Sequence, residues 1–245
     1  MINPFIYDGL NYPAGRLIDY DPASSFFDGI PDAGAVSTVY DRSGNANNGT
    51  AGDALYPPEI SLSTLANGRR TFFFRNDAIG ANTAAQYFWT LPDLSALSSG
   101  EAFAVLKYAY NPNSSNELGG GLWDFGTDGA PNAVPYKDGN VYDDFGSTAR
   151  KGVSSGSNAG FNAQWLVYSA KSKTNDWQGY RNGVQLGSSA SNTVAFSSAP
   201  KLGHSNPSGI YYFSGWLARF IFFSPALSDA ESVAFANQLK ARYGI

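Results

Sequence analysis

The stretch IYYFSGWLARFIFF, residues 210–223, is a long apolar run rich in aromatic and β-branched residues. A long run of such residues is typical of a buried β-strand. Gly215 interrupts the run, and a glycine inside a strand favours a bend or a bulge. The sequence therefore predicts a long buried strand with an irregularity at Gly215.

One helix is predicted after this strand. Ser228 and Glu231 have the spacing of a capping box, in which the serine accepts from the third helical N–H and the glutamate reaches back. Apolar residues then recur every four positions, at Phe235, Leu239 and Tyr243. We therefore expect an amphipathic helix over residues 227–243, with Gly244 just after its last turn.

Upstream, the chain alternates between short strand-like segments and turn residues. Segments rich in β-favouring residues lie at 71–75, 86–90, 101–110, 121–126, 164–170, 178–181 and 184–186. Asn182 and Gly183 stand between the last two, and Asn-Gly favours the type I′ turn of a β-hairpin. Many short strands separated by turns predict an all-β fold of two antiparallel sheets, a sandwich or jelly roll, with one short C-terminal helix.

Composition and charge exclude several classes of protein. The chain has 245 residues, no cysteine, one histidine and a formal charge of −4. The lack of cysteine excludes disulfides, zinc–thiolate sites, iron–sulfur clusters and a thiol nucleophile, and a single histidine excludes a multi-histidine metal site. The basic residues are scattered, and the pairs Arg69-Arg70 and Arg150-Lys151 are expected to be solvated. Nucleic acid is therefore not an expected partner.

Membrane insertion is not expected either. No apolar run approaches the about 18 residues that a membrane helix needs. The first five residues, MINPF, have neither the basic start nor the apolar run of a secretory signal peptide.

Three stretches of the chain resemble one known superfamily. They are residues 40–50 (YDRSGNANNGT), residues 177–186 (WQGYRNGVQL) and residues 202–245, which hold the apolar strand and the helix. In order and spacing they are similar to the concanavalin A-like lectins and glucanases, in their laminin-G-like bacterial and phage branch. Residues 143–150 (DDFGSTAR) also resemble a segment of laminin-G-like proteins of phage particles.

The resemblance implies an organisation and a function. It implies one two-sheet antiparallel jelly roll over residues 16–245, preceded by an N-terminal arm at residues 1–15. It implies a non-catalytic structural or binding protein on a phage virion surface, as a capsid decoration, head fibre, or tail fibre or tip. The arm is expected to contact other virion proteins, or else to complete the domain's own sheet. Cell-surface glycans and a homo-oligomer are further expected partners, and an extracellular or cell-surface location is the alternative to the virion.

Catalysis is not expected from the carboxylates. Glucanases of the superfamily carry E-x-D-x-x-E on one strand, because retaining hydrolysis needs two carboxylates about 5–5.5 Å apart. The chain has four glutamates, no two within five residues of each other: Glu59, Glu101, Glu117 and Glu231. A hydrolase built on distant aspartates stays open as an alternative. A polysaccharide lyase is another, because lyases with this fold use histidine and tyrosine, and His204 lies near Tyr211 and Tyr212 in the sequence.

Aromatic residues next to short amides are the candidates for a glycan site. An aromatic face can stack on a sugar ring, although tryptophan and tyrosine more often fill a core. The candidates are Trp177, Tyr180, Asn182, His204 and Asn206. Trp177 stands between Asp176 and Gln178 beside the hairpin, so it is expected to be the most exposed, whereas Trp165 and Trp216 lie in apolar segments and are expected in the core. A free-standing carbohydrate-binding module is therefore the alternative to a virion protein.

Calcium is the one cofactor that the sequence suggests. The ion takes six to eight oxygen ligands, and laminin-G-like relatives often carry it at a loop rim. The candidate ligands are Asp124, Asp128, Asp143 and Asp144. They do not form a contiguous calcium loop, and Asp-Gly pairs such as Asp128-Gly129 are equally explained as turn residues.

Overall fold

The computed structural model describes residues 8–75, 87–109, 120–136, 138–153, 161, 164–205 and 211–245. In these residues it has seventeen β-strands, a short 3-10 helix at Ser25–Phe27 and one α-helix, α1 (Asp229–Tyr243). The strands are β1 (Arg16–Tyr20), β2 (Thr38–Val39), β3 (Gly49–Ala51), β4 (Glu59–Ala66), β5 (Arg69–Phe74), β6 (Trp89–Thr90), β7 (Gly100–Tyr108), β8 (Trp123–Asp124), β9 (Val141–Asp143), β10 (Lys151–Val153), β11 (Leu166–Lys173), β12 (Asp176–Arg181), β13 (Val184–Ser189), β14 (Lys201–Leu202), β15 (His204–Ser205), β16 (Tyr211–Tyr212) and β17 (Gly215–Phe223).

The larger sheet is built around β17. Its strands follow the order β13-β12-β11-β7-β17-β5-β4, and every pairing is antiparallel. One edge of β17 pairs with β7 along its length. The other edge is shared, because β5 pairs with its first half and β1 with its second half. The long apolar run of the sequence is therefore the centre of the sheet.

The predicted run of residues 210–223 is two strands rather than one. β16 pairs with β15 in a separate two-stranded ladder, and β17 begins at Gly215 in the larger sheet. A Cβ at Gly215 would lie 2.3 Å from the carbonyl oxygen of Lys107, so the close approach of these two strands requires glycine at position 215. The bulge itself lies further on, where the register with β7 shifts between Leu217 and Arg219.

The smaller sheet consists of strands of two or three residues in the order β2-β3-β6-β14-β8. It packs against the inner face of the larger sheet through a core dominated by aromatic rings. Trp89 meets Phe72 edge-on, with ring centroids 4.8 Å apart, and Trp123 lies 5.3 Å from Tyr168. The buried aromatics thus hold the two layers of the sandwich together.

A second core lies on the outer face of the larger sheet, under α1. Phe103 of β7 and Phe223 of β17 meet Phe235 of the helix, with ring centroids 5.1 Å apart in both cases. Because β7 and β17 are covered on both faces, they are largely apolar on both faces, and Glu101 and Arg219 are buried exceptions. The capping box of Ser228 and Glu231 is present as predicted.

The Asn182-Gly183 hairpin is also confirmed. It joins β12 to β13, and both residues have positive φ, 54° and 78°, as a type I′ turn requires.

The described part of the predicted N-terminal arm lies on its own domain. Tyr12 packs against Phe235 of α1, with ring centroids 5.8 Å apart, and the Asn11 N–H donates to Gln238 Oε1 at 2.8 Å. Residues 8–15 therefore cover the helix instead of extending from the domain, and residues 1–7 lie outside the described residues. In the described part of the chain, no helix is long and apolar enough to cross a membrane.

Candidate functional site

Trp177 is not exposed, contrary to the expectation from its polar neighbours. Its side chain is 0% exposed in the inner core, and its Nε1 donates to the carbonyl oxygen of Phe145 at 3.2 Å. Successive side chains of a strand point to opposite faces, so Asp176 and Gln178 lie on the face away from the core. The indole therefore has no free face for a sugar ring.

Trp165 and Trp216, expected in the core, are only partly buried. Trp216 stacks on Phe73 with centroids 5.0 Å apart and an angle of 20° between the rings. Their apolar neighbours belong to strands that are buried on both faces. Apolar neighbours therefore do not indicate whether these two side chains are themselves buried.

The other predicted glycan ligands have structural roles. Tyr180 is buried and donates to Gln178 Oε1. Asn182 accepts the N–H of Val167 through its Oδ1 at 2.8 Å, so its side chain holds the hairpin to β11. Both side chains use their polar atoms within the fold.

His204 lies in a different part of the sandwich. It is 2% exposed, its ring meets Tyr212 edge-on at 4.7 Å, and burial lowers the pKa of the imidazole to about 4. Asn206 lies outside the described residues. Trp177, Tyr180 and His204 are thus not brought together on one surface.

Two of the four predicted calcium ligands, Asp143 and Asp144, are engaged by the protein itself. Asp143 is fully buried and accepts hydrogen bonds from Trp123 Nε1 at 3.1 Å and from Tyr168 Oη at 2.9 Å. Asp144 accepts from Asn132 Nδ2 and from the N–H of Asp128. Burial raises the pKa of Asp143 to about 6 and that of Asp144 to about 7.

This environment differs from that of a calcium site. A metal-binding carboxylate must be ionised, whereas desolvation here favours the neutral acid. Among the described residues, no group of three or more His, Cys, Asp or Glu side chains is arranged to hold a metal ion. Calcium binding stays a prediction. The arrangement of Asp124, Asp128, Asp143 and Asp144 does not support it.

A cluster that sequence reasoning missed surrounds Arg219. This side chain of β17 is 0% exposed. Its Nε lies 2.7 Å from Asp19 Oδ1, its Nη2 lies 2.7 Å from Asp8 Oδ2, and its Nη1 pairs with Asp21. The carboxylates raise the pKa of Arg219 against the opposing effect of burial, so the guanidinium stays charged.

The 40–50 loop adds a second arginine to this cluster. Asp41 organises the loop by accepting the N–H groups of Ser43 at 2.8 Å and Asn47 at 3.0 Å, and it also accepts the N–H of Asp19 in β1. The N–H of Arg42 then donates to the Asp19 carbonyl at 2.9 Å, and its Nη1 pairs with Asp21. The motif of the sequence is therefore a turn that fixes Arg42 beside β1.

A pocket of about 230 Å³ lies at this cluster. The residues that line it are Asp8, Asp21, Ala23, Arg42, Arg69 and Arg242. Three arginines face two aspartates, so the lining carries a formal charge of +1. The Nε atoms of Arg69 and Arg242 are buried and have no hydrogen-bond partner in the described part of the chain. Arg69, which was expected to be solvated, is partly exposed, and its Nε is buried.

Two exposed aromatic rings lie on the segments that lead into the pocket. Phe26 is 42% exposed and Tyr40 is 40% exposed, and their ring centroids are 5.0 Å apart. Tyr40 precedes Arg42 by two residues and Phe26 follows Ala23 by three, so each is within about 11 Å of the pocket lining along the chain. We call Phe26 and Tyr40 the aromatic pair.

We expect Arg219→Leu to lower the free energy of unfolding by about 3–5 kcal/mol at pH 7. The substitution leaves three carboxylates without the buried cation that compensates them. Urea denaturation measures the loss. Arg75→Leu is the control, because its pair with Glu59 at 3.2 Å has a 40% exposed arginine, and we expect less than about 1 kcal/mol. Equal losses in the two variants would contradict the role of Arg219.

We expect Asp144→Asn to change the pH dependence of stability. The folded-state pKa of about 7 lies above the unfolded value, so the native acid stabilises the fold at low pH. This contribution is lost as pH rises through the folded pKa, by at most about 1.4 kcal/mol per pH unit. The variant should therefore gain stability relative to the parent chain between pH 5 and pH 8 in urea denaturation. Asp128→Asn serves as the control, and a difference that does not vary with pH would contradict the assignment.

Comparison with known proteins shows likeness in structure only. No protein-family model and no curated protein matches the chain. Domain 4 of AbnA, an extracellular arabinanase from Geobacillus stearothermophilus solved in complex with arabinotriose, matches 91% of the chain and 98% of that domain, at 13% identity and a TM-score of 0.57. The binding domain of botulinum neurotoxin DC, in complex with rat synaptotagmin II, matches at 12% identity and a TM-score of 0.59.

A sialidase from Trypanosoma rangeli matches at 11% identity and a TM-score of 0.62. The chain spans 52% of the toxin domain and 34% of the sialidase, and 92% and 94% of the chain are covered in these matches. Likeness at such identities concerns the fold. Together with the two antiparallel sheets, it shows that the chain is an all-β jelly-roll sandwich with one short C-terminal helix, as the sequence predicts.

Proposed function

We propose that this chain is a non-catalytic, lectin-like domain that binds a glycan at the arginine-lined pocket and the aromatic pair. The observation that carries the proposal is a polar pocket together with two exposed rings that lie two and three residues from its lining along the chain. Sugars are recognised by convergent hydrogen-bonding groups for their hydroxyls and by aromatic faces for their apolar sides. Phe26 and Tyr40 supply the faces, and the arginines supply the donors.

The structural neighbours support a binding function. One is a domain solved with arabinotriose, which is a glycan, and another is a toxin binding domain solved with a protein, synaptotagmin II. A protein receptor is therefore the second candidate ligand. A glycan is favoured over a protein because the pocket is small and its lining is almost wholly polar, whereas the cores of protein interfaces are apolar.

Burial of His204, Asp143 and Asp144, three groups that a lyase or hydrolase could use, supports the non-catalytic part of the proposal. A lyase or hydrolase must bring its acid or base within hydrogen-bond reach of the substrate. His204 is 2% exposed, and Asp143 and Asp144 are at most 1% exposed. A polysaccharide cannot reach these side chains without an opening of the sandwich.

A phage virion surface is the location that we propose. The support is the resemblance of residues 40–50, 177–186 and 202–245 to the laminin-G-like bacterial and phage branch, and of residues 143–150 to laminin-G-like proteins of phage particles, which implies a decoration, fibre or tip. The protein would contact other virion components there, and the glycan site would face outward. An extracellular or cell-surface protein with the same domain is the alternative.

We expect an array of soluble oligosaccharides to identify a ligand whose binding depends on the aromatic pair. Phe26→Ala and Tyr40→Ala should each weaken binding at least about tenfold, because stacking on an aromatic face is lost. Leu55→Ala is the matched control, since Leu55 is an exposed apolar residue, at 80%, that follows the nearest lining residue in the sequence, Arg42, by thirteen positions. Binding that is unchanged in both aromatic variants, or the absence of any glycan ligand, would contradict the proposed function.

We expect immunogold electron microscopy of lysates from the source host to place the protein on released particles. The virion proposal requires label on particle surfaces, with particles from an unrelated phage as the control. Label confined to the cell envelope or the medium would contradict a virion location and support the alternative.

A further inference from the structure

We propose that the arginine-lined pocket binds the carboxylate of an acidic sugar unit within a larger glycan. This proposal rests on the glycan-binding function proposed above and assigns the chemical class of its ligand. The probe that represents this class is an oligomer of galacturonic acid.

The two acidic side chains of the pocket already have cationic partners. Asp21 pairs with Arg219 and with Arg42, and Asp8 lies 2.7 Å from Arg219 Nη2 and 3.7 Å from Arg42 Nη1. Asp19 is a further partner of Arg219, because its Oδ1 lies 2.7 Å from Nε and its Oδ2 accepts a hydrogen bond from Nη2. Positive charge in the pocket therefore comes from Arg69 and Arg242.

Arg69 is the clearest case of unused hydrogen-bonding capacity. Within the described residues, no hydrogen bond or ion pair engages its guanidinium, and its Nε is buried. The Nε of Arg242 is buried without an acceptor in the same part of the structure. A buried donor without an acceptor is unfavourable, so an acceptor supplied by a ligand would be bound strongly.

The geometry of the donors favours a carboxylate. A guanidinium presents its N–H groups as a planar fork, and the two oxygens of a carboxylate match that fork in a bidentate pair. A neutral sugar hydroxyl would accept only one such bond and would leave the positive charge uncompensated. Charge and shape both point to an anionic, planar group.

The size of the pocket indicates how much of the ligand enters it. About 230 Å³ is below the roughly 300–1,000 Å³ of pockets that enclose drug-sized molecules. One sugar unit is therefore held in the pocket, and the neighbouring units extend towards the aromatic pair.

The positive charge is local. The chain as a whole carries −4, and its basic residues do not form an extended stripe. A long polyanion such as nucleic acid would be repelled by the surrounding surface. An isolated acidic unit on a largely neutral glycan satisfies the pocket without that repulsion.

The test compares ligands that differ only in charge. Isothermal titration calorimetry measures binding of trigalacturonic acid and of its fully methyl-esterified form, and of sialyllactose and its methyl ester as a second pair. We expect at least one acid to bind about tenfold or more tightly than its neutral counterpart, because hydrogen bonds to a charged group are lost in the neutral one. This comparison uses the unaltered protein, so it does not depend on the folding of any variant.

Variants locate the effect. Arg69→Gln should reduce the affinity for the acid to near that for the neutral form, and Arg69→Lys should restore it only in part because the fork is lost. Arg75→Gln is the matched control, since Arg75 follows the same strand, β5, and does not line the pocket. Unchanged thermal melting shows that each variant is folded.

The outcomes separate this inference from the proposed function. Equal affinity for the acid and the neutral form would overturn the inference and leave the glycan-binding function standing. Tighter binding of 3′-sulfolactose than of both carboxylate ligands would overturn the choice of carboxylate. Binding of no glycan in any arm would overturn both proposals together.

Discussion

The fold depends on how it accommodates one charged residue, Arg219, in the central strand of the larger sheet. An uncompensated guanidinium in a protein interior is prohibitively unfavourable, so the chain must bring carboxylates to it. Asp19 arrives because β1 pairs with the second half of β17, and Asp8 arrives because residues 8–15 fold back over the helix. A single buried cation thus fixes the position of the N-terminal segment, for which the sequence predicts either contact with other proteins or a strand of the domain's own sheet.

The same constraint prepares the candidate binding site. Asp21 pairs with both Arg219 and Arg42, so the charge that neutralises the core also orients a side chain of the pocket. Arg42 is held from its other side by the loop that Asp41 organises. Because this part of the lining is fixed by the fold, little conformational entropy remains to be lost when a ligand binds.

Local signals account for what was predictable from the sequence. The capping box at Ser228 and the hairpin at Asn182 act over three or four residues, and both are present. The side on which a strand residue lies depends on the other layer, so the polar neighbours of Trp177 do not indicate that its own side chain is exposed. Alternation along β12 is the informative signal, since Asp176 and Gln178 share the face opposite to Trp177.

The pocket lay beyond such reasoning, because Arg42, Arg69 and Arg242 come from a loop, a strand and the end of the helix. Its only trace in the sequence is Arg219, a lone charge among apolar residues. Such a charge indicates that carboxylates lie nearby. Carboxylates that are partly exposed to solvent attract further cations. The buried cation requires acidic partners, and these partners attract an outer set of arginines. A ligand can reach only this outer set. The proposed recognition of an anion at this place therefore follows from how the core is neutralised.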